Sequence, residues 1–359
     1  MWIAAFFGMA TKYAEGCLAV RYRQVDANGD ISGGPMYYIE QGLGKKWKPL
    51  AVIFAIFGVM TACLGSGTYT QANAIMSSIE VTFGVAPIIT DAVLTILVAV
   101  IILGGLQSIA KAAEKIVPAM AVLYIVSVIA LLVVYADRVP DAVALIIHDA
   151  FKPTAAVGGF LGATVMTTIR SGIARGIFSN ESGLGSAPIV AAAAKTKWPA
   201  EQGLISMTGT FIDTIIVCTM TGLCIVLTGS HTAGLEGVAV TTRAFQMGLP
   251  VPAQFSAFLL MMCLIFFAFT TIIGWNYYGE RCLEYLSNGS HGAVMAYRFL
   301  YILAIFIGPF MTVEAVWTIA DIFNALMALP NLIALLALSG VVVAETRDYW
   351  IRILGDKIK

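Results

Sequence analysis

Phe178-Ser-Asn-Glu-Ser-Gly-Leu-Gly-Ser-Ala-Pro188 decides how this chain is read. The segment carries a carboxylate, an amide, three serine hydroxyls and two glycines. Apolar sequence flanks it on both sides, Ile173 to Ile177 (interrupted by Arg175) before it and Ile189 to Ala194 after it. A helix broken by glycine and small polar residues leaves backbone N–H and C=O groups free. Inside a membrane such groups cannot face lipid and must line a protein cavity. Broken helices near the bilayer midplane are where secondary transporters hold a substrate and its coupling ion. The competing reading is a plain loop between two spans.

Composition makes this a membrane chain. Hydrophobic residues are 59% of its 359 residues and charged residues 12%, against about 25% charged in a soluble domain. The net charge is zero, so no basic surface argues for nucleic acid. The six cysteines are scattered through apolar runs without metal-ligand spacing and read as small core residues. His148, His231 and His291 all fall in predicted loops, which argues against a buried histidine proton relay. There is no G-x-x-x-x-G-K-[ST] sequence for a phosphate-binding loop.

A helical span needs about 20 mostly apolar residues. Candidate spans are 2–20, 51–79, 87–105, 115–136, 165–194 (broken), 204–229, 253–285, 294–312 and 313–346, nine in all. The last contains Pro330 after Asp321 and Asn324 and reads equally as one kinked helix or two short elements. The first, with Lys12 and Glu15 one turn apart, lacks the basic start and cleavage site of a signal peptide. Alternate connections carry Arg21, Arg23, Lys45, Lys46 and Lys48, then Lys111 and Lys115, then Lys195 and Lys197, then Arg347, Arg352, Lys357 and Lys359. The other set carries Arg138, Lys152 and Arg243 against Asp137, Asp141, Asp149 and Glu236. The richer set is expected in the cytoplasm, together with the C-terminus. Asp26, Asn28 and Asp30 suggest a calcium loop, but Ile31 stands where glycine is required and no glutamate follows at position twelve.

Polar residues inside spans are the functional candidates. In Gly65-Ser-Gly-Thr-Tyr-Thr-Gln-Ala-Asn73, a continuous helix would place Ser66, Thr70 and Asn73 on about one face with Gln71 beside them. The small residues suit helix packing, whereas Gln71 has the donor and acceptor capacity to meet an amino acid. Thr270 and Thr271 offer hard oxygen for an alkali cation, or else bond back to their own helix. Trp275, one turn on, either walls a pocket or anchors at an interface. Asp213 sits among isoleucines, and Arg170 or Arg175 is its expected partner. Asp321 and Asn324 either cap the broken helix or line a gate. Glu280-Arg281 reads as a structural ion pair or a snorkelling pair.

Four stretches carry a resemblance across nearly the whole chain: Gly33-Gly-Pro-Met-Tyr-Tyr-Ile-Glu40, Thr70-Gln-Ala-Asn73, Arg175 to Pro188 and Gly274-Trp-Asn-Tyr-Tyr-Gly-Glu280. Together they resemble the alanine or glycine:cation symporter family. The resemblance implies an all-α polytopic membrane protein with the inverted-repeat fold of the sodium:neurotransmitter symporters, in which five helices repeat upside down around a midplane site. Residues 1–359 would form one transporter domain holding the second to tenth core helices, with 165–194 as the sixth. The family begins with a peripheral helix and a first core helix, so the resemblance implies an N-terminally truncated form. It implies symport of alanine or glycine with sodium, with no enzyme chemistry and no cofactor beyond that coupling ion. The partners are the amino acid, sodium and the bilayer of the cell's inner membrane, around a monomer. Gln71, Ile177, Phe178, Ser179, Asn180 and Trp275 are the expected substrate residues, and Thr270 and Thr271 the expected sodium ligands. The competing readings are an inert fragment of such a symporter, an ion channel, for which no filter sequence occurs, and a membrane enzyme, for which no catalytic motif occurs.

Overall fold

The computed structural model describes residues 1–25, 31–104, 106–151 and 161–354. The chain opens with α1 (Trp2–Arg21), a short hairpin of β1 (Gln24–Val25) and β2 (Ile31–Ser32), and α2 (Pro35–Gly42). Next come α3 (Lys48–Leu64), α4 (Tyr69–Phe83), α5 (Pro87–Leu103), α6 (Leu106–Val134) and α7 (Val139–Phe151). After them lie α8 (Leu161–Asn180), α9 (Ala187–Ala191) and α10 (Pro199–Thr210), which runs through a π-helical stretch, Phe211–Cys218, into α11 (Thr219–Leu227). The chain continues with α12 (Val238–Gly248), α13 (Ala253–Ser287), α14 (His291–Ile307), α15 (Val313–Ala337) and α16 (Ser339–Tyr349). Prolines open several of these helices, among them α2, α5 and α10, where the missing N–H has no helical partner to lose. Left-handed residues close two others, Gly84 after α4 and Asn288 after α13.

Five helical stretches among the described residues are long and apolar enough to cross a membrane: Lys45–Phe83, Ala113–Val134, Pro199–Leu227, Ala253–Ser287 and Val313–Ala337. Pro87–Leu103 and His291–Ile307 are shorter apolar helices. Large apolar side chains lie exposed along the outer faces, such as Ile96 and Val100 on α5 and Phe299 and Leu300 on α14. Such a surface suits lipid and not water. The protein is an all-α, multi-pass membrane protein. At its centre α13 packs against α3, α4, α6, α12 and α14, and its core includes Ile272, Tyr301, Ile305, Phe54 and Met327. Small residues let α1 lie close along α10. A Cβ on Gly16 would stand 2.6 Å from the Ser206 hydroxyl, and one on Gly203 2.8 Å from the Tyr13 carbonyl.

Several sequence expectations change here. The span 51–79 is not one helix: it stops at Leu64 and restarts at Tyr69. The stretch 313–346 divides at Leu338 rather than at Pro330, which stays inside α15. His148 lies in α7, His231 in a short 3-10 turn, and His291 opens α14, so none is a simple loop residue. Asp26, Asn28, Asp30, Lys152, Lys357 and Lys359 lie outside the described residues.

Arg21, Arg23 and Lys48, from the cationic connections, gather at one end. Arg23 donates to the carbonyls of Ala192 (3.0 Å), Ala194 (2.7 Å) and Thr196 (2.8 Å), binding the turn after α1 to the segment after α9. Arg21 pairs with Glu345 at 3.0 Å. On the same side Glu40 accepts from Tyr285 at 2.5 Å and pairs with Lys48 at 3.3 Å. The tyrosine hydroxyl, then the ammonium, hold this carboxyl below its ordinary range.

The α13–α14 contact is tight enough to test. A Cβ on Gly279 would stand 2.0 Å from the Tyr297 hydroxyl and 2.8 Å from the Ala62 Cβ. Gly279→Ala should therefore destabilise the detergent-purified protein by about 1–3 kcal/mol through overpacking. An unfolding temperature equal to that of the parent would show that these helices can part without loss.

Candidate functional site

The helix α8 ends inside the segment Phe178 to Pro188, and the break has a defined shape. Glu181, Gly183 and Gly185 take positive φ values of 57°, 82° and 87°. Gly185 has a second constraint, since a Cβ there would stand 2.6 Å from the Phe54 ring and 2.8 Å from Pro35. Glu181 has a Cβ, so its left-handed geometry costs about 1–2 kcal/mol. Local bonds hold it there: its N–H reaches the Ile177 carbonyl at 2.8 Å, and Ser186 Oγ donates to its carboxylate at 2.6 Å. Asn180 Oδ1 accepts from the Ser182 N–H at 2.9 Å, closing an Asx turn.

The free backbone ends of the break are met by other helices. Lys12 Nζ donates to the Asn180 carbonyl at 2.7 Å, placing an ammonium at the negative end of α8. Glu15 Oε1 accepts from the Gly185 N–H at 3.1 Å and from Asn331 Nδ2 at 2.7 Å. Asn331 Nδ2 also reaches the Gly183 carbonyl at 2.9 Å, and the Tyr38 hydroxyl donates to Asn331 Oδ1. Glu15, Asn331 and Tyr38 are at most 1% exposed. The sequence marked Lys12 and Glu15 as charges in an apolar span without assigning them a role, and it passed over Asn331. The signal that could have found them is the cost of burying a polar group that lacks a partner.

A second break lies between α3 and α4, at Gly65 to Thr68. Ser66 Oγ donates to Asn324 Oδ1 at 3.0 Å, and Thr68 Oγ1 donates to the Cys63 carbonyl at 2.7 Å. The Tyr301 hydroxyl, fully buried, lies 3.0 Å from the Gly67 carbonyl and 2.7 Å from that of Ile272. A Cβ on Gly67 would stand 2.7 Å from the Trp275 Cβ, so only glycine lets the break rest against α13 here. Gln71 turns back onto the same break, its amide donating to the Ser66 carbonyl at 3.2 Å. Ser66 therefore belongs to a kink and not to the helical face shared by Thr70 and Asn73.

The structure brings Gln71 and Trp275 to the second break, and Ile177, Phe178, Ser179 and Asn180 to the first. Since α13 packs against α3, α4 and α9, it connects the two. Phe178 lies against Trp317 with ring centroids 4.7 Å apart, and Arg175 stands 4.1 Å above the Trp317 ring. Arg175 pairs with Asp321, not with Asp213 as the sequence suggested. Asp213 instead accepts from Ser179 Oγ at 2.7 Å and Thr214 Oγ1 at 2.9 Å, and Asn180 Nδ2 donates to Thr214 at 2.9 Å. These groups meet at the π-helical stretch, a geometry often found at functional sites. The expected Glu280–Arg281 pair is also replaced: Glu280 takes Arg298 in a bidentate pair at 2.8 and 2.9 Å, and Arg281 takes Glu284 at 2.7 Å. Thr270 and Thr271 donate to the carbonyls of Phe266 and Phe267 on their own helix, at 2.9 to 3.0 Å.

The Lys12–Glu15–Asn331 brace yields a direct test. Glu15→Leu leaves the Gly185 N–H and one N–H of the Asn331 amide without their acceptor, at about 1–3 kcal/mol for each buried orphan. Its unfolding temperature should fall well below that of Glu15→Gln, which keeps one acceptor oxygen. Equal stability of the two variants would show that the break does not depend on this side chain.

The profile of the sodium:alanine symporter family matches residues 1–356. The chain is 54% identical over 354 residues to an uncharacterized transporter of Haemophilus influenzae, covering 98% of this chain and 76% of that protein. It is 46% identical over 355 residues to the sodium/alanine symporter AgcS of Methanococcus maripaludis, covering 97% and 76%. It is 39% identical over 352 residues to the probable sodium/glutamine symporter GlnT of Bacillus subtilis, covering 97% and 71%. With residues 1–356 matched and relatives this similar over nearly the whole chain, the chain belongs to the sodium:alanine symporter family.

Proposed function

We propose that this chain carries out symport of a small neutral amino acid, alanine or glycine, with sodium, across the cell membrane. The observation that carries the reading is the pair of broken helices facing one central helix, α13, in a member of this family. The backbone groups that the breaks release from helical bonding are of the two kinds a zwitterion needs: N–H groups for its carboxylate and carbonyls for its ammonium and the cation. Five spans would repeat upside down around this site, with α1 as the second core helix, α8–α9 as the broken sixth and α15 as the tenth. Residues 1–359 form one transporter domain of nine spans, working as a monomer. The end that gathers Arg21, Arg23 and Lys48 faces the cytoplasm, together with the C-terminus.

Gln71, Trp275 and the segment Ile177 to Asn180 line the substrate site. Phe178 and Trp275 limit the side chain it accepts. One relative is described as a glutamine symporter, so these two walls are the first place to look for the choice between a methyl group and a longer amide. Trp275→Ala should admit leucine in competition for uptake. Each methylene is worth about 1–3 kcal/mol, so selectivity should relax and not vanish. Gln71→Ala should weaken substrate binding while the protein stays monodisperse. A competition series from glycine to leucine that Trp275→Ala leaves unchanged would remove Trp275 from the pocket.

Thr270 and Thr271 are one candidate sodium set. A second reading has a specific observation behind it: Ser179, Thr214 and the Asp213 carboxylate already converge within 2.7 to 2.9 Å, beside the carbonyl end of α8. Sodium binding would favour one of two access states, and its gradient would drive the cycle by shifting their populations. Replacing both Thr270 and Thr271 by Val should raise the sodium concentration for half-maximal uptake if the hydroxyls bind the ion. Asp213→Asn should do so if the π-helical cluster does. Linkage requires that sodium tighten alanine binding in the parent and less so in the variant that lost the site. Parental sodium dependence in both variants would refute both placements.

A further inference from the structure

The polar groups of α5 take no part in either break. We propose that Asp91 and Thr95 form a separate sodium site one to two turns into α5. Asp91 is 0% exposed, and neither carboxylate oxygen has a hydrogen-bond partner among the described residues. The hydroxyls of Thr95 and of the flanking Thr90 are buried and unpartnered as well. None of the ion pairs found among the described residues includes Asp91. An ionised carboxylate in this state is strongly unfavourable, so something neutralises it.

The threonines point to a cation as the neutralising group. Thr61, Thr70, Thr82, Thr221, Thr270 and Thr271 all donate to the carbonyl four residues back in the chain. Thr95 does not, so its oxygen is free for another partner. Residues four apart share a helix face, which puts the Asp91 carboxylate and the Thr95 hydroxyl side by side without a hydrogen bond between them. A proton would satisfy one oxygen and leave the others bare. A hard cation reaches each oxygen at roughly 2.3–2.6 Å, as calcium does, and so joins oxygens too far apart to bond each other. The donors are all hard oxygens, and their single negative charge matches a monovalent ion. The site lies just after the turn that joins α4 to α5, at the end away from Lys48.

The proposal rests on the chain being a membrane protein and not on which residues carry the transported sodium. The test is equilibrium binding of radioactive sodium to the purified chain in lipid nanodiscs, with and without alanine. A sodium-dependent rise in unfolding temperature, measured against potassium, is the second readout. The parent should show a sodium population indifferent to alanine, and Asp91→Asn should abolish it together with the matching part of the thermal shift. Thr95→Val keeps the shape, removes one ligand and should weaken that population about tenfold. If Asp91→Asn does not fold, Thr95→Val decides. Parental sodium stoichiometry and affinity in these variants overturns the site, as does a parent stabilised by acid as well as by sodium. A missing alanine-linked population beside an intact alanine-indifferent one would count against the transport site and leave this one standing.

Discussion

A helix cannot stop inside a membrane protein unless its bare backbone ends find partners, and that constraint organises this molecule. At the break after Asn180 the partners are an ammonium, a carboxylate and an amide from two other helices: Lys12, Glu15 and Asn331. Each meets a group of matching sign. The ammonium takes a carbonyl, the carboxylate takes an N–H, and the amide, held by Tyr38, takes a second carbonyl. Placing α1 against α8 and α9 is therefore a consequence of the break as well as of packing. The small residues Gly16 and Gly203 let α1 and α10 approach closely enough to complete that arrangement.

The second break uses different means. No charged side chain braces Gly65 to Thr68 among the described residues. Neutral hydroxyls and an amide (Thr68, Thr70, Tyr301 and Gln71) satisfy the freed carbonyls, and Gly67 makes room for α13. A neutral brace loses less when its bonds exchange than a buried charge left unpaired. The two breaks are thus unequal in cost to rearrange, the charged one being the stiffer. With α13 against both, a movement at one is felt at the other through a packed helix that deforms little.

The pairings inferred from sequence went astray in one consistent way. Asp213 was expected to meet Arg170 or Arg175 because they lie on neighbouring elements, and Glu280 to meet Arg281 because they are adjacent. Adjacent helical residues point about 100° apart, so Glu280 and Arg281 face different neighbours and take Arg298 and Glu284 instead. Arg175 points toward α15, where Asp321 and the face of Trp317 both receive it. In each case the group had to be paired, and the sequence said so; the partner depended on the direction of a side chain across an interface.

Much about this protein was determined by the sequence itself. Low charge and long apolar runs set the membrane class, because unpaired charge is not tolerated in lipid. The glycines of 178–188 set one break, because Gly183 and Gly185 take positive φ without the penalty of a Cβ. The motifs at 33–40, 70–73, 175–188 and 274–280 carried the family. Tertiary structure decided the rest. The break at Gly65 escaped notice because its glycines also fit helix packing, and the groups that meet it, Trp275 and Tyr301, come from helices distant in sequence. Glu15 and Asn331, 316 positions apart, form one brace. Thr270 and Thr271 bond to their own helix while Thr95, the same residue type in a similar apolar run, does not. Composition and spacing act along one helix, whereas the pairing of buried polar groups is settled by which helix stands opposite.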